Sequence, residues 1–153
     1  MQDNRILVVD GDADFREATV GGLKKRGLKA EGAGSGEAAL EMIAARAFDV
    51  IILNLKTSGP DGIATLREIK RNRPLSEVIL LTGHGSADAG IEGMQLGAFD
   101  CMVKSSNFDA LLEKIQQACD KKAAGDKKIR QAILRDLSAH PSHVPGVLKK
   151  GIS

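Results

Sequence analysis

Short apolar runs recur along the chain at residues 6–9, 50–53 and 78–81, with weaker ones at 28–33 and 101–103. Their length suits strands, and the stretches between them carry the 3.6-residue period of amphipathic helices. Asp12 or Asp14 caps a first helix that runs to about Arg26 and stops at Gly27, and Ser35 caps a second over 37–46 whose stripe is Ala39, Leu40, Ile43 and Ala44. Asp61 opens a third that buries Ile63, Leu66 and Ile69 and closes before Pro74. Ser86 opens a fourth ending at Gly97, and Asn107 caps a fifth carrying Leu111, Leu112, Ile115 and Ala118. Strands alternating with helices predict five βα units around a parallel sheet. The runs at 6–9, 50–53 and 78–81 are apolar throughout rather than alternating, as strands covered on both faces require, so they belong in the middle of the sheet.

Two segments fit the pattern less well. Gly90 and Gly93 lie inside the fourth helix and each costs up to about 1 kcal/mol relative to Ala, which makes it the softest of the five. After Gly125 a separate amphipathic segment over 126–138 presents Ile129, Ile133 and Leu137, and Pro141, Pro145 and Gly146 then end the pattern. The organisation expected is a domain over 1–122 and a basic helical extension over 123–153.

Composition narrows the class. With 153 residues, 42% of them hydrophobic, the chain is long enough to bury a core without metal or disulfide. Cys101 and Cys119 form no CxxC pair, which points to free thiols in a reducing, cytoplasmic setting. No apolar run approaches the roughly 20 residues of a membrane span. The net charge of +2 conceals an asymmetry, +6 over residues 121–153 against −4 over 1–120. A single basic helix without aromatic residues offers nucleic acid only non-specific, salt-sensitive contact, so nucleic acid is an alternative and not the expected partner.

In an open parallel α/β sheet, ligands sit at the carboxyl ends of the strands. The residues there are Asp10, Gly11 and Asp12 after the first run, Asn54 after the third, Thr82 after the fourth, and Lys104 and Ser105 after the fifth. One acid, one amide, one hydroxyl and one ammonium are expected to converge.

The stretches ILVVDGD at 6–12, DVIILNLKTSGPDG at 49–62, VILLTGHGS at 78–86 and LGAFDCMVKS at 96–105 make the chain resemble the response regulator receiver family, the CheY-like domains of two-component signalling. The resemblance implies a flavodoxin-like five-stranded parallel sheet in the order 2-1-3-4-5 with helices on both faces, plus the C-terminal helical extension. It implies Mg²⁺ held by two adjacent acids and a third at the end of the third strand. That third acid takes a phosphoryl group from a sensor histidine kinase, and a hydroxyl and an ammonium ligate the phosphoryl oxygens. Asp10, Thr82 and Lys104 match the first acid, the hydroxyl and the ammonium.

The departures fall on the reaction itself. Gly11 stands where the second acid is expected and Asn54 where the phosphoacceptor is expected. A carboxamide oxygen is a poor nucleophile, and with only Asp10 retained the pull on a hard cation is mostly gone. Mg²⁺ is therefore expected to bind weakly or not at all. Asp12 is the one substitute for Gly11, but strand alternation turns it the other way. Cys101 replaces the aromatic switch that pairs with Thr82, and Ser105 replaces the proline after the Lys. The reading is a non-enzymatic pseudo-receiver that binds protein partners through the face from the fourth to the fifth helix. The C-terminal stripe packs on the domain or on a second copy, making a homodimer. The alternative within signalling is phosphorylation at Thr82, Ser58 or Thr57. GAGSGE at 32–37 lacks the third glycine of a dinucleotide loop, and His140 and His143 have no acid or Cys beside them.

Overall fold

The computed structural model describes residues 3–56, 62–83 and 87–139. Five strands, β1 (Arg5–Val9), β2 (Lys29–Ala33), β3 (Val50–Asn54), β4 (Glu77–Thr82) and β5 (Asp100–Val103), pair in parallel in the order β2-β1-β3-β4-β5. The helices are α1 (Ala13–Lys25), α2 (Gly36–Ala45), α3 (Gly62–Asn72), α4 (Ala87–Gln95) and α5 (Phe108–Ala139). The continuously apolar runs are the three central strands, because only a strand with helices on both faces gains from being apolar at every position.

Alternation divides those strands between two cores. Leu7, Val9, Ile51, Leu53, Val78 and Leu80 face Ala39 and Ile43 of α2 and Ile63, Leu66 and Ile69 of α3. Ile6, Val8, Val50, Ile52, Ile79 and Leu81 face Leu23 of α1 and Leu111, Ile115 and Ala118 of α5. Burying each such Leu or Ile is worth about 1.5–3 kcal/mol, so a one-residue slip of any central strand is strongly disfavoured. That register brings the carboxyl ends of β1, β3 and β4 to one edge, with Leu53 beside Val9 and Asn54 beside Leu81.

The caps follow the local chemistry. Asp12, not Asp14, caps α1 by accepting from Asp14 N and Phe15 N, and Gly27 follows the helix at φ 87°. Ser35 accepts from Ala38 N, and Asn107 accepts from Ala110 N at 2.8 Å. Asp61 and Ser86, expected to open α3 and α4, lie outside the described residues, as do Thr57, Ser58, His140 and His143.

One expectation is corrected. The helix does not stop before Gly125: α5 is continuous from Phe108 to Ala139. A single glycine weakens a helix without terminating it when its φ stays helical and good helix formers such as Lys122, Ala123 and Lys127 surround it. The glycines of α4 also have a packing reason. A Cβ on Gly93 would lie 2.2 Å from Leu80 Cδ1, and one on Gly90 would lie 2.9 Å from Cys101 Sγ, so they let the helix backbone settle onto β4 and β5. By its internal contacts the chain divides into Met1–Lys122 and Ala123–Ser153. In the second unit Ile129 and Leu134 are exposed.

Candidate functional site

Asp10 follows β1, and its amide bonds to Ala33 O at 3.0 Å, which continues the β1–β2 ladder by one bond. Its side chain is 1% exposed. Each carboxylate oxygen meets two donors: Oδ1 accepts from Asp12 N at 2.9 Å and Lys104 Nζ at 3.3 Å, and Oδ2 accepts from Asn54 Nδ2 at 3.2 Å and lies 3.1 Å from the same ammonium. Asn54 Oδ1 accepts from Lys56 N at 3.0 Å, so the carboxamide is oriented with its nitrogen toward Asp10. Lys104 is carried in from the end of β5, where its amide bonds to Thr82 O at 2.8 Å. Three of the four expected groups therefore meet.

The hydroxyl of Thr82 does not join them. Oγ1 donates to Met102 O at 3.3 Å and sits 3.9 Å from the Cys101 thiol, so it is committed to β5. Asp12 departs from expectation in the opposite sense. One carboxylate oxygen caps α1 while the other comes within 3.8 Å of Lys104 Nζ. Strand alternation does not apply to it because β1 has ended at Val9 and the chain has already turned into the helix cap.

These groups, with Gly11, Lys56 and Gly83, line an open cleft of about 310 Å³. Two carboxylates, Asp10 and Asp12, face two ammonium groups, Lys56 and Lys104. Lys56 escaped the reading of the sequence because it lies beyond the strand end. Arg16 escaped it too: its guanidinium donates to Asp10 O at 2.6 Å from the second turn of α1. The only signal for either was position relative to an element end, where side-chain direction is not periodic. Ser105 follows Lys104 without a cis peptide, and none occurs among the described residues.

Mg²⁺ takes oxygen ligands in near-octahedral geometry and is usually anchored by one or two carboxylates. Here the one deeply buried carboxylate is already saturated by an ammonium, a carboxamide and a backbone amide. Among the described residues no group of three or more His, Cys, Asp or Glu is arranged to hold a metal. The donor set does not fit a divalent cation, because Lys104 supplies the positive charge that one would bring.

Fold and strand-end cleft together define a class. The response regulator receiver domain family matches residues 6–116, and the chain belongs to that family, the receiver domains of two-component response regulators. It is 34% identical over 113 residues to the transcriptional regulatory protein ZraR of Escherichia coli K12, covering 74% of this chain and 26% of that protein. It is 32% identical over 118 residues to the transcriptional regulator NtrC of the same organism, covering 77% and 25%. The crystal structure of the receiver domain of NtrX from Brucella abortus superimposes with a TM-score of 0.71 at 32% identity, over 75% of this chain and 98% of that one. The chain thus spans about a quarter of the length of the curated relatives it matches. No helix among the described residues is long and apolar enough to cross a membrane.

Proposed function

We propose that this receiver signals by protein binding rather than by taking a phosphoryl group at the usual strand-end position. The observation that carries the reading is the Asn54 carboxamide donating to the Asp10 carboxylate at 3.2 Å. The amide is delocalised and its oxygen is occupied by Lys56 N–H, so the position offers no nucleophile. Asp10, Gly11 and Asp12 occupy the acidic-pocket positions and Thr82 and Lys104 the phosphoryl-ligand positions. Thr82 and Cys101 occupy the switch positions. The Thr82 hydroxyl is buried and bonded to β5, which speaks against it as an alternative acceptor.

The face built from α4, β5 and α5 suits the binding role, since Ile91, Met94 and Val103 are exposed there. Protein partners of a cytoplasmic two-component pathway, a sensor histidine kinase among them, are the expected occupants. The stripe of Ile129, Ile133 and Leu137 in the second unit, of which Ile129 is exposed, offers a helix contact to a second copy.

The test is intact mass after incubation with a small-molecule phosphoryl donor and Mg²⁺, beside a Gly11→Asp, Asn54→Asp double variant. The double variant is expected to gain one phosphoryl group and the natural chain none. A phosphoryl on the natural chain overturns the reading.

A further inference from the structure

A second cavity, of about 310 Å³, opens between α1, the end of β5 and the start of α5. Its walls are apolar: Phe15 and Gly22 from α1, Met102 from β5, and Phe108 and Leu111 from α5. Both rings are only partly buried and rest on the core beneath them. Gly22 lets α1 approach the Phe108 ring, since a Cβ there would lie 3.0 Å from it. The volume is at the lower end of small-molecule sites, which are typically about 300–1,000 Å³ and mostly apolar with a few polar groups at the rim.

One cation lines the cavity and a second lies outside it against the Phe108 ring. Lys104 lines the cavity and carries its ammonium 4.6 Å from the centroid of Phe15, while the Arg26 guanidinium stands 5.5 Å from the centroid of Phe108. Arg26 pairs with Asp109 at 3.7 Å, an exposed pair that water screens. Lys104 holds Asp10 closely but reaches the exposed Asp12 at only 3.8 Å, leaving a contact that another anion can replace. An apolar cavity lined by two aromatic rings, with the Lys104 ammonium at its edge, is complementary to a compact apolar body bearing one negative charge.

We infer that the α1–α5 cavity is a binding site for a small amphipathic carboxylate, a medium-chain fatty acid or an aryl acid, whose head group pairs with Lys104. The same ammonium closes the Asp10 cleft, so occupancy of the cavity redistributes charge at the strand ends without any covalent step. This goes beyond the binding role proposed above and does not rest on it: a chain that accepted a phosphoryl group would still contain the cavity.

The experiment is titration of the full chain with octanoate and, separately, with neutral octanol, followed by amide chemical shifts and by calorimetry. Saturable shifts centred on Phe15, Gly22, Met102 and Phe108 are expected, with octanoate binding at least tenfold tighter than octanol. Ala18→Leu, which adds apolar bulk to the cavity wall from an exposed position of α1, is expected to weaken both at least tenfold. Lys104→Met, which keeps the apolar stem, is expected to bring octanoate down to the affinity of octanol. Absence of saturable shifts at these residues in the natural chain overturns the proposal, as does equal affinity for acid and alcohol. Unchanged octanoate binding in both variants overturns it as well.

Discussion

Asn54 Nδ2 donates to Asp10 Oδ2 at 3.2 Å across the paired ends of β3 and β1. A neutral donor thus stands against a buried carboxylate where a second acid would repel it. Replacing Asn54 by Asp removes that hydrogen bond and adds a like charge, which is expected to destabilise the fold by about 1–3 kcal/mol in the absence of divalent metal. Thermal melts in a chelator read this as a drop of several degrees. Millimolar Mg²⁺ is expected to leave the natural chain unmoved and to raise the Gly11→Asp, Asn54→Asp variant, because only the variant presents clustered carboxylates.

Lys104 is the cation on which Asp10 depends. Lys104→Met takes the ammonium away from a residue that is 1% exposed and leaves the Asn54 and Asp12 amide donors in place. Removing one partner of a fully buried pair costs about 3–5 kcal/mol, and the Lys104 side chain is 28% exposed, so a loss of about 2 kcal/mol is expected. Urea denaturation measures it. Arg26→Met, which breaks an exposed pair, is expected to change stability by less than about 1 kcal/mol.

The glycines of the helices separate into two kinds. Nothing lies within 4 Å of a Cβ placed on Gly21 in α1, so Gly21→Ala is expected to stabilise by roughly 0.5–1 kcal/mol through helix propensity. Gly93→Ala drives a methyl to 2.2 Å from Leu80 Cδ1 and is expected to destabilise by about 1–3 kcal/mol despite the same gain in propensity. Opposite signs in denaturant midpoints for one substitution type are the check.

Burial, helped by the nearby Asp49 carboxylate, pushes the Cys119 thiol up from 9.0 to about 11. Below pH 9.0 both folded and unfolded chains keep the proton and the contribution is fully present. Between 9.0 and about 11 the unfolded chain loses the proton first, so stability falls as pH rises. Relative to Cys119→Val, the natural chain is expected to lose stability across that window in pH-dependent denaturation. Alkylation of Cys119 in the folded protein is expected to be slow at pH 8 and fast once denaturant is added.

Most of the fold is legible in the sequence. Continuous apolar runs marked the central strands, and Asp12, Ser35 and Asn107 marked helix starts, because hydrophobic period and cap chemistry are local properties. The identities at the candidate site were legible too, since strand ends are where the runs stop. The exceptions share one origin. Gly90, Gly93 and Gly125 are alike in sequence, yet two are contact points under α4 and one is a plain helical residue, and only the neighbour across the gap distinguishes them.

By itself the sequence determined the element order, the parallel sheet and the identities Asp10, Gly11 and Asn54 at the strand ends, because residue type and periodicity depend only on neighbours along the chain. Tertiary structure alone decided that Lys104 spans Asp10, Asp12 and the Phe15 ring, that Thr82 turns to β5, and that Lys56 joins the cleft. Those are directions of side chains beyond the ends of regular elements, where no repeating backbone geometry sets the vector and the balance of charge and packing among distant residues does.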